Sequence, residues 1–144
     1  MTGNPKIVCV YAADFLPTAP LTDAGVNYGV LPENDIEWVM RRVAKYALTV
    51  GGLDKLYIVC HCQDSGGFLQ IGQPGINVWN VKDIGAVLKN KVKVIHLHCC
   101  FAANNPAFCR SLAAQSKATV YAYNVKVLAW PTLASIFSPI YFGG

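Results

Sequence analysis

Three short runs of β-branched and aliphatic residues stand out along the chain: Ile7 to Ala12 (IVCVYA), Lys55 to Cys60 (KLYIVC) and Val92 to His98 (VKVIHLH). Each is four to eight residues long and nearly continuous in apolar character, which predicts strands covered on both faces. Between the first two, Ile36, Val39, Met40, Val43 and Ala47 recur at i, i+3, i+4, i+7 and i+11, the single apolar stripe of a helix. Asn34 and Glu37 have the spacing of a capping box at its start, and Gly51-Gly52 end it. The stretch from Asp14 to Pro32 carries three prolines and two glycines and reads as a long loop.

After the second strand, GFLQIGQPGINVWN reads as a hairpin turning near Pro74-Gly75, and a short helix near Lys82 to Lys89 leads into the third strand. Asn105 as N-cap and Pro106 at the first helical position open another helix through Ser116, with Phe108, Cys109, Leu112 and Ser116 on one side. ATVYAYNV supplies a fourth strand. This alternation predicts an α/β three-layer sandwich: a mostly parallel central sheet with helices on both faces. No repeat or linker divides the chain, so residues 1–144 read as one domain.

Composition narrows the function classes. The apolar share of 53% against 14% charged residues excludes a disordered chain. The net charge of +4 comes from basic residues scattered along the chain, without the basic-aromatic interleaving of a nucleic-acid surface, so no nucleic-acid partner is expected. The apolar run from Val127 to Phe142 is broken by Pro131 and Pro139 and falls short of the roughly 18–20 uninterrupted residues of a membrane span. It reads instead as a surface for homo-oligomer formation. No basic-then-apolar leader follows Met1, so the six cysteines read as free thiols in a reducing, cytoplasmic setting.

Two predicted strands end in His/Cys clusters, at Cys60-His61-Cys62 and at His98-Cys99-Cys100. Ligands and catalytic groups of open α/β sheets gather beyond the carboxyl ends of the strands. If the two strands are neighbours, His61 and Cys100 face each other across that crevice. A histidine beside a thiol takes its proton or holds the thiolate as an ion pair. The dipole of the helix opening at Asn105-Pro106 favours that thiolate, and Gly66 and Gly67 leave amides open for an oxyanion. The same residues admit other readings. His96 and His98 share one strand face with Cys100, and with His61 they make a His/Cys metal site; Cys9, Cys60, Cys62, Cys99 and Cys109 are equally at home in an apolar core. Walker-type loops, G-x-S-x-G elbows and HExxH are absent from the sequence.

The order strand, His, Gly-rich turn, hairpin, helix, strand, Cys, helix, strand resembles the caspase-like cysteine peptidases, a group that includes caspases, gingipains and bacterial adhesin-associated and CHAT-type relatives. LYIVCHC matches the family's histidine block at His61, and VIHLHCC matches its cysteine block at Cys100; the likeness covers roughly residues 53–124. It implies a caspase-like fold, a peptide or protein substrate, no cofactor and no resident metal, with Cys100 as nucleophile and His61 as its base. It also implies that the amides around Cys62 and Gly66 bind the oxyanion, and that Asp14, after the first strand, helps select a basic residue before the cut. Cys62 stands where the family has glycine. That departure keeps a second possibility open, a non-catalytic caspase-like interaction module.

Overall fold

Ile7–Ala12 forms strand β1, its side chains alternating between two sides of a sheet. The computed structural model describes residues 4–14, 25–125 and 139–143. In chain order the further strands are β2 (Val26–Val30), β3 (Leu53–Val59), β4 (His61–Cys62), β5 (Phe68–Gln70), β6 (Ile76–Asn77), β7 (Val92–His98), β8 (Thr119–Ala122) and β9 (Ile140–Phe142). The helices are α1 (Ile36–Thr49), α2 (Val81–Val87) and α3 (Pro106–Ser116). Six strands build the central sheet in the order β2-β1-β3-β7-β8-β9, all parallel to their neighbours except the β8–β9 pair. A small antiparallel sheet, β4-β5-β6, grows from the end of β3. The expected α/β class and mostly parallel sheet are therefore present.

The three helices pack on one face of that sheet. Val8, Val10, Ala12, Leu56, Ile58, Ile95, Leu97, Val120 and Ala122 meet their buried sides in a single apolar core. The steps β2 to β3, β3 to β7 and β7 to β8 all move the same way across the sheet, and right-handed crossovers then put α1, α2 and α3 on the same side. The opposite face carries Cys9, Tyr11, Tyr57 and Val59 with His96, His98, Tyr121 and Tyr123, and no helix among the described residues packs there.

Three details differ from the sequence reading. Among the described residues the helices share one face instead of covering both, because each crossover steps the same way across the sheet. Strand β2 lies inside the expected loop: Gly29, taken as a breaker, sits opposite Tyr11, whose hydroxyl would be 2.9 Å from any added Cβ. The glycine makes room for a neighbour's ring, which is one use of glycine in a strand. The cap of α1 is Asp35 rather than Asn34; its Oδ1 accepts from the N–H groups of Glu37 and Trp38 at 2.9 and 3.3 Å. Asn34 instead accepts from the Leu31 N–H at 2.8 Å, tightening the entering turn. Most of the apolar run proposed for self-association, residues 127–138, lies outside the described residues. Its end forms β9 with Tyr141 exposed and Phe142 in the core. No helix among the described residues is long and apolar enough to cross a membrane.

Helices α2 and α3 meet where Gly85 leaves only hydrogen between them. A Cβ there would stand 2.7 Å from Gln115 Cβ and 3.3 Å from the Leu112 carbonyl oxygen. Alanine is worth about 1 kcal/mol in helix propensity, but forced separation of packed elements costs about 1–3 kcal/mol. Gly85→Ala should accordingly lower unfolding free energy in urea rather than raise it. For α1, Asp35→Ala should cost about 1 kcal/mol and exceed the loss from Asn34→Ala in the same assay, since only Asp35 satisfies amides of the helix itself.

Candidate functional site

The register of β3 and β7 pairs Tyr57 with His96 and Val59 with His98. The ladder ends at that pair; Cys60 and Cys99 remain neighbours just beyond it, and His61 then joins β4, where it pairs with Gln70. Cys60 and Cys99 are buried and belong to the core on the helix side. A hydrogen bond with Cys60, followed by burial, holds the Cys99 thiol well above its ordinary range. His61 is exposed and Cys100 half-exposed at the carboxyl end of the sheet. The two residues singled out as nucleophile and base thus follow adjacent strands at the same end of the sheet, His61 already in β4 and Cys100 in the turn after β7.

Cys62 turns its side chain inward, where it packs against the main core. Its thiol is pushed up to about 12, first by burial and then by Cys99, with Cys100 and Asp64 adding and the Phe68 N–H opposing. The Cys62 side chain is thus largely taken up by packing against the core. The Gln63 N–H donates to the Phe68 carbonyl at 3.2 Å. By the alternation of an antiparallel ladder, the next pair, Cys62 with Leu69, is not hydrogen-bonded, and the Cys62 N–H points away from β5. Gly66 behaves differently from the expectation. Its N–H donates to the Gln63 carbonyl at 2.8 Å in a turn, so it is already engaged and is not the open oxyanion donor foreseen.

The glycines have another reason to be there. Gly66 and Gly67 hold φ values of 75° and 80°, and a Cβ on either would lie 2.6 Å from Asn105, against its backbone N and its Nδ2 respectively. Asn104 Nδ2 donates to the Asp64 carbonyl at 2.8 Å. The loop after His61 is thereby seated on the segment after Cys100, a coupling that sequence did not reveal. Asn105 is legible as a cap, and its Oδ1 does accept from the Phe108 N–H at 3.1 Å, but its close approach to Gly67, 38 residues earlier in the chain, emerges only on folding. Between Cys100 and α3 the chain turns sharply at Phe101, a bulky residue at φ 61°, with the Phe101 and Ala103 N–H groups donating to the Val125 and Tyr123 carbonyls at 3.2 and 2.9 Å.

Asp14 is exposed in the turn that follows β1. Because Tyr11 of β1 pairs with Val59 of β3, that turn opens at the same sheet end as His61. His96 and His98 do share a face, as their spacing predicts, with ring centroids 6.2 Å apart. His96 is embedded among Tyr57, Tyr121 and Tyr123, its Nε2 3.0 Å from the Tyr123 hydroxyl oxygen. Among the described residues no three His, Cys, Asp or Glu side chains gather as a metal site. The sequence matches no protein-family model, and no curated protein matches it.

Burial also pushes the thiols of Cys9 and Cys109 up to about 12. At pH 8 only about one such thiol in ten thousand is ionised. Iodoacetamide should therefore alkylate Cys100 ahead of Cys9, Cys62, Cys99 and Cys109 in the native protein, with all six reacting in urea; peptide mapping reads the order.

Burial, then His98 and Lys55, lowers the His96 imidazole to about 4. Below pH 6.5 the unfolded chain takes up a proton that folded His96 refuses, so stability falls as pH drops from 6.5 to 4 and levels off below. The loss from this group is on the order of 3 kcal/mol at most. Urea midpoints of His96→Gln should fall less steeply than those of the parent over that window.

Proposed function

We propose that the chain is a caspase-like cysteine peptidase domain acting through Cys100 and His61. The observation that supports the reading is the pairing of Val59 with His98, from which the chain segments carrying His61 and Cys100 leave the sheet side by side at its carboxyl end. The order of β3, His61, the Gly66-Gly67 turn, the hairpin, α2, β7, Cys100, α3 and β8 is the order that the family resemblance requires. Free thiols throughout the described residues fit a reducing, cytoplasmic setting.

In this mechanism His61 takes the Cys100 proton and the thiolate sulfur attacks the scissile carbonyl carbon. The carbonyl oxygen becomes an oxyanion that the outward-facing Cys62 N–H stabilises. Collapse of the tetrahedral species breaks the C–N bond, and His61 returns the proton to the departing amine. Water, deprotonated by His61, then hydrolyses the thioester and restores the Cys100 thiol. Asp14 at the neighbouring strand end supplies a negative charge for a Lys or Arg side chain before the cut.

Cleavage of a fluorogenic peptide library tests this directly. Cys100→Ala should abolish turnover, and His61→Ala should lower kcat/KM by about 10²–10⁴-fold while leaving the urea midpoint close to that of the parent. Asp14→Asn should reduce cleavage after Lys or Arg by about ten- to a hundredfold, the loss of one charge-assisted contact, without changing Cys100 alkylation. Equal cleavage after acidic and basic residues would remove Asp14 from the site. A reactive Cys100 with no peptide cleaved would favour the interaction module.

A further inference from the structure

Four of the six cysteines turn their side chains to the same part of the core. Cys60, Cys99 and Cys109 are buried on the helix side of the sheet and Cys62 packs against them from its edge. They are close enough for Cys99 to act on the Cys62 and Cys109 thiols. Buried cysteine is ordinary core filling. What separates these four is the partner that each thiol has. Cys62 Sγ donates to the Gln63 carbonyl at 3.4 Å, and Cys109 Sγ donates to the Ala102 carbonyl at 3.5 Å. Cys60 and Cys99 are hydrogen-bonded to each other. Cys9 belongs to a separate cluster on the opposite face of the sheet.

The strand pairing accounts for this couple. Val59 of β3 pairs with His98 of β7, and Cys60 and Cys99 are the residues that follow. Neighbouring strands stand about 4.8 Å apart, inside the Cα separation of about 4.4–6.8 Å that a disulfide spans. Both side chains enter the helix-side core, so two sulfurs already in contact need only close to an S–S bond of about 2.05 Å. His61 and Cys100 come next in the chain. A bond between Cys60 and Cys99 therefore joins the two strand ends from which the candidate site is built.

We infer that Cys60 and Cys99 form a reversible dithiol–disulfide site, oxidised by hydrogen peroxide and restored by a small thiol. One cysteine sulfur gives two electrons to peroxide, taking one oxygen as a sulfenic acid while the other leaves as water. The partner sulfur attacks the sulfenic sulfur and forms the S–S bond; the displaced hydroxyl leaves as water with the attacking thiol's proton. Two small thiols reverse the reaction by exchange, returning both cysteines to thiols and departing as their own disulfide. Peroxide is small and uncharged, and the half-exposed Cys62 and Cys100 mark the sheet end at which it enters. The site does not depend on the peptidase reading, since its chemistry needs only the two sulfurs. In the oxidised form the strand ends are pinned and the long loop between positions 60 and 99 is closed, which stabilises the fold.

Linkage mapping tests this in the parent protein. Reduced protein is treated with peroxide, its remaining thiols are blocked with iodoacetamide in urea, and peptides made without reductant are fragmented in a mass spectrometer. Cys60 joined to Cys99, and released by dithiothreitol, is the expected result. The urea midpoint should rise by about 1–2 M on oxidation. Cys60→Ala and Cys99→Ala should lose that rise, and Cys100→Ser should keep it. Because the linkage is read in the parent, the test survives an alanine variant that fails to fold. Either sulfur bonded instead to Cys62, Cys100 or Cys109 overturns the inference. So does finding Cys60 and Cys99 both still alkylated in urea after peroxide has oxidised Cys100, or a rise in midpoint that persists in Cys60→Ala.

Discussion

The parallel pairing of β3 with β7 is the constraint on which the candidate site depends. Both strands are buried runs whose apolar residues face the helices at every second position, and a slip of one residue would turn Leu56, Ile58, Ile95 and Leu97 away from the core. The core therefore dictates the register, and the register dictates that the chain segments carrying His61 and Cys100 leave the sheet side by side. Catalytic geometry, on the proposed reading, is a by-product of burying aliphatic side chains.

Beyond the sheet, a second set of contacts takes over. The loop after His61 could wander freely over the sheet end were it not pressed onto Asn104 and Asn105, which begin the helix following Cys100. Close approach of backbone to backbone is possible there only because Gly66 and Gly67 lack a Cβ and accept positive φ. Cys62 completes the arrangement by packing its thiol against the core while its backbone pairs with Leu69, so that one residue anchors the small sheet to the main one.

The two faces of the central sheet divide the remaining work. Helices cover one with aliphatic packing. The other presents a row of tyrosines and histidines in which His96 is kept neutral by burial and bonded to Tyr123. A polar aromatic row of this kind ties β3, β7 and β8 together through ring contacts and hydroxyl bonds where no described helix supplies apolar area.

By itself the sequence determined the elements that are governed by local periodicity. The bounds of β1, β7 and α3 follow from continuous β-branched runs and from the Asn105-Pro106 start, because burial period and capping chemistry are written within a few neighbouring residues. It also placed His61 and Cys100 at strand ends. It misread β2, whose Gly29 serves a tyrosine on another strand, and it took Asn34 for a cap that Asp35 provides, because those choices depend on partners and angles outside the local pattern. Which face the helices share, that the Gly66 amide is engaged, that Cys62 points inward and that Asn105 seats the histidine loop were decided only in three dimensions. Each is a contact between segments far apart in the chain, and the free energy of such contacts exists only once the sheet has set its strand order.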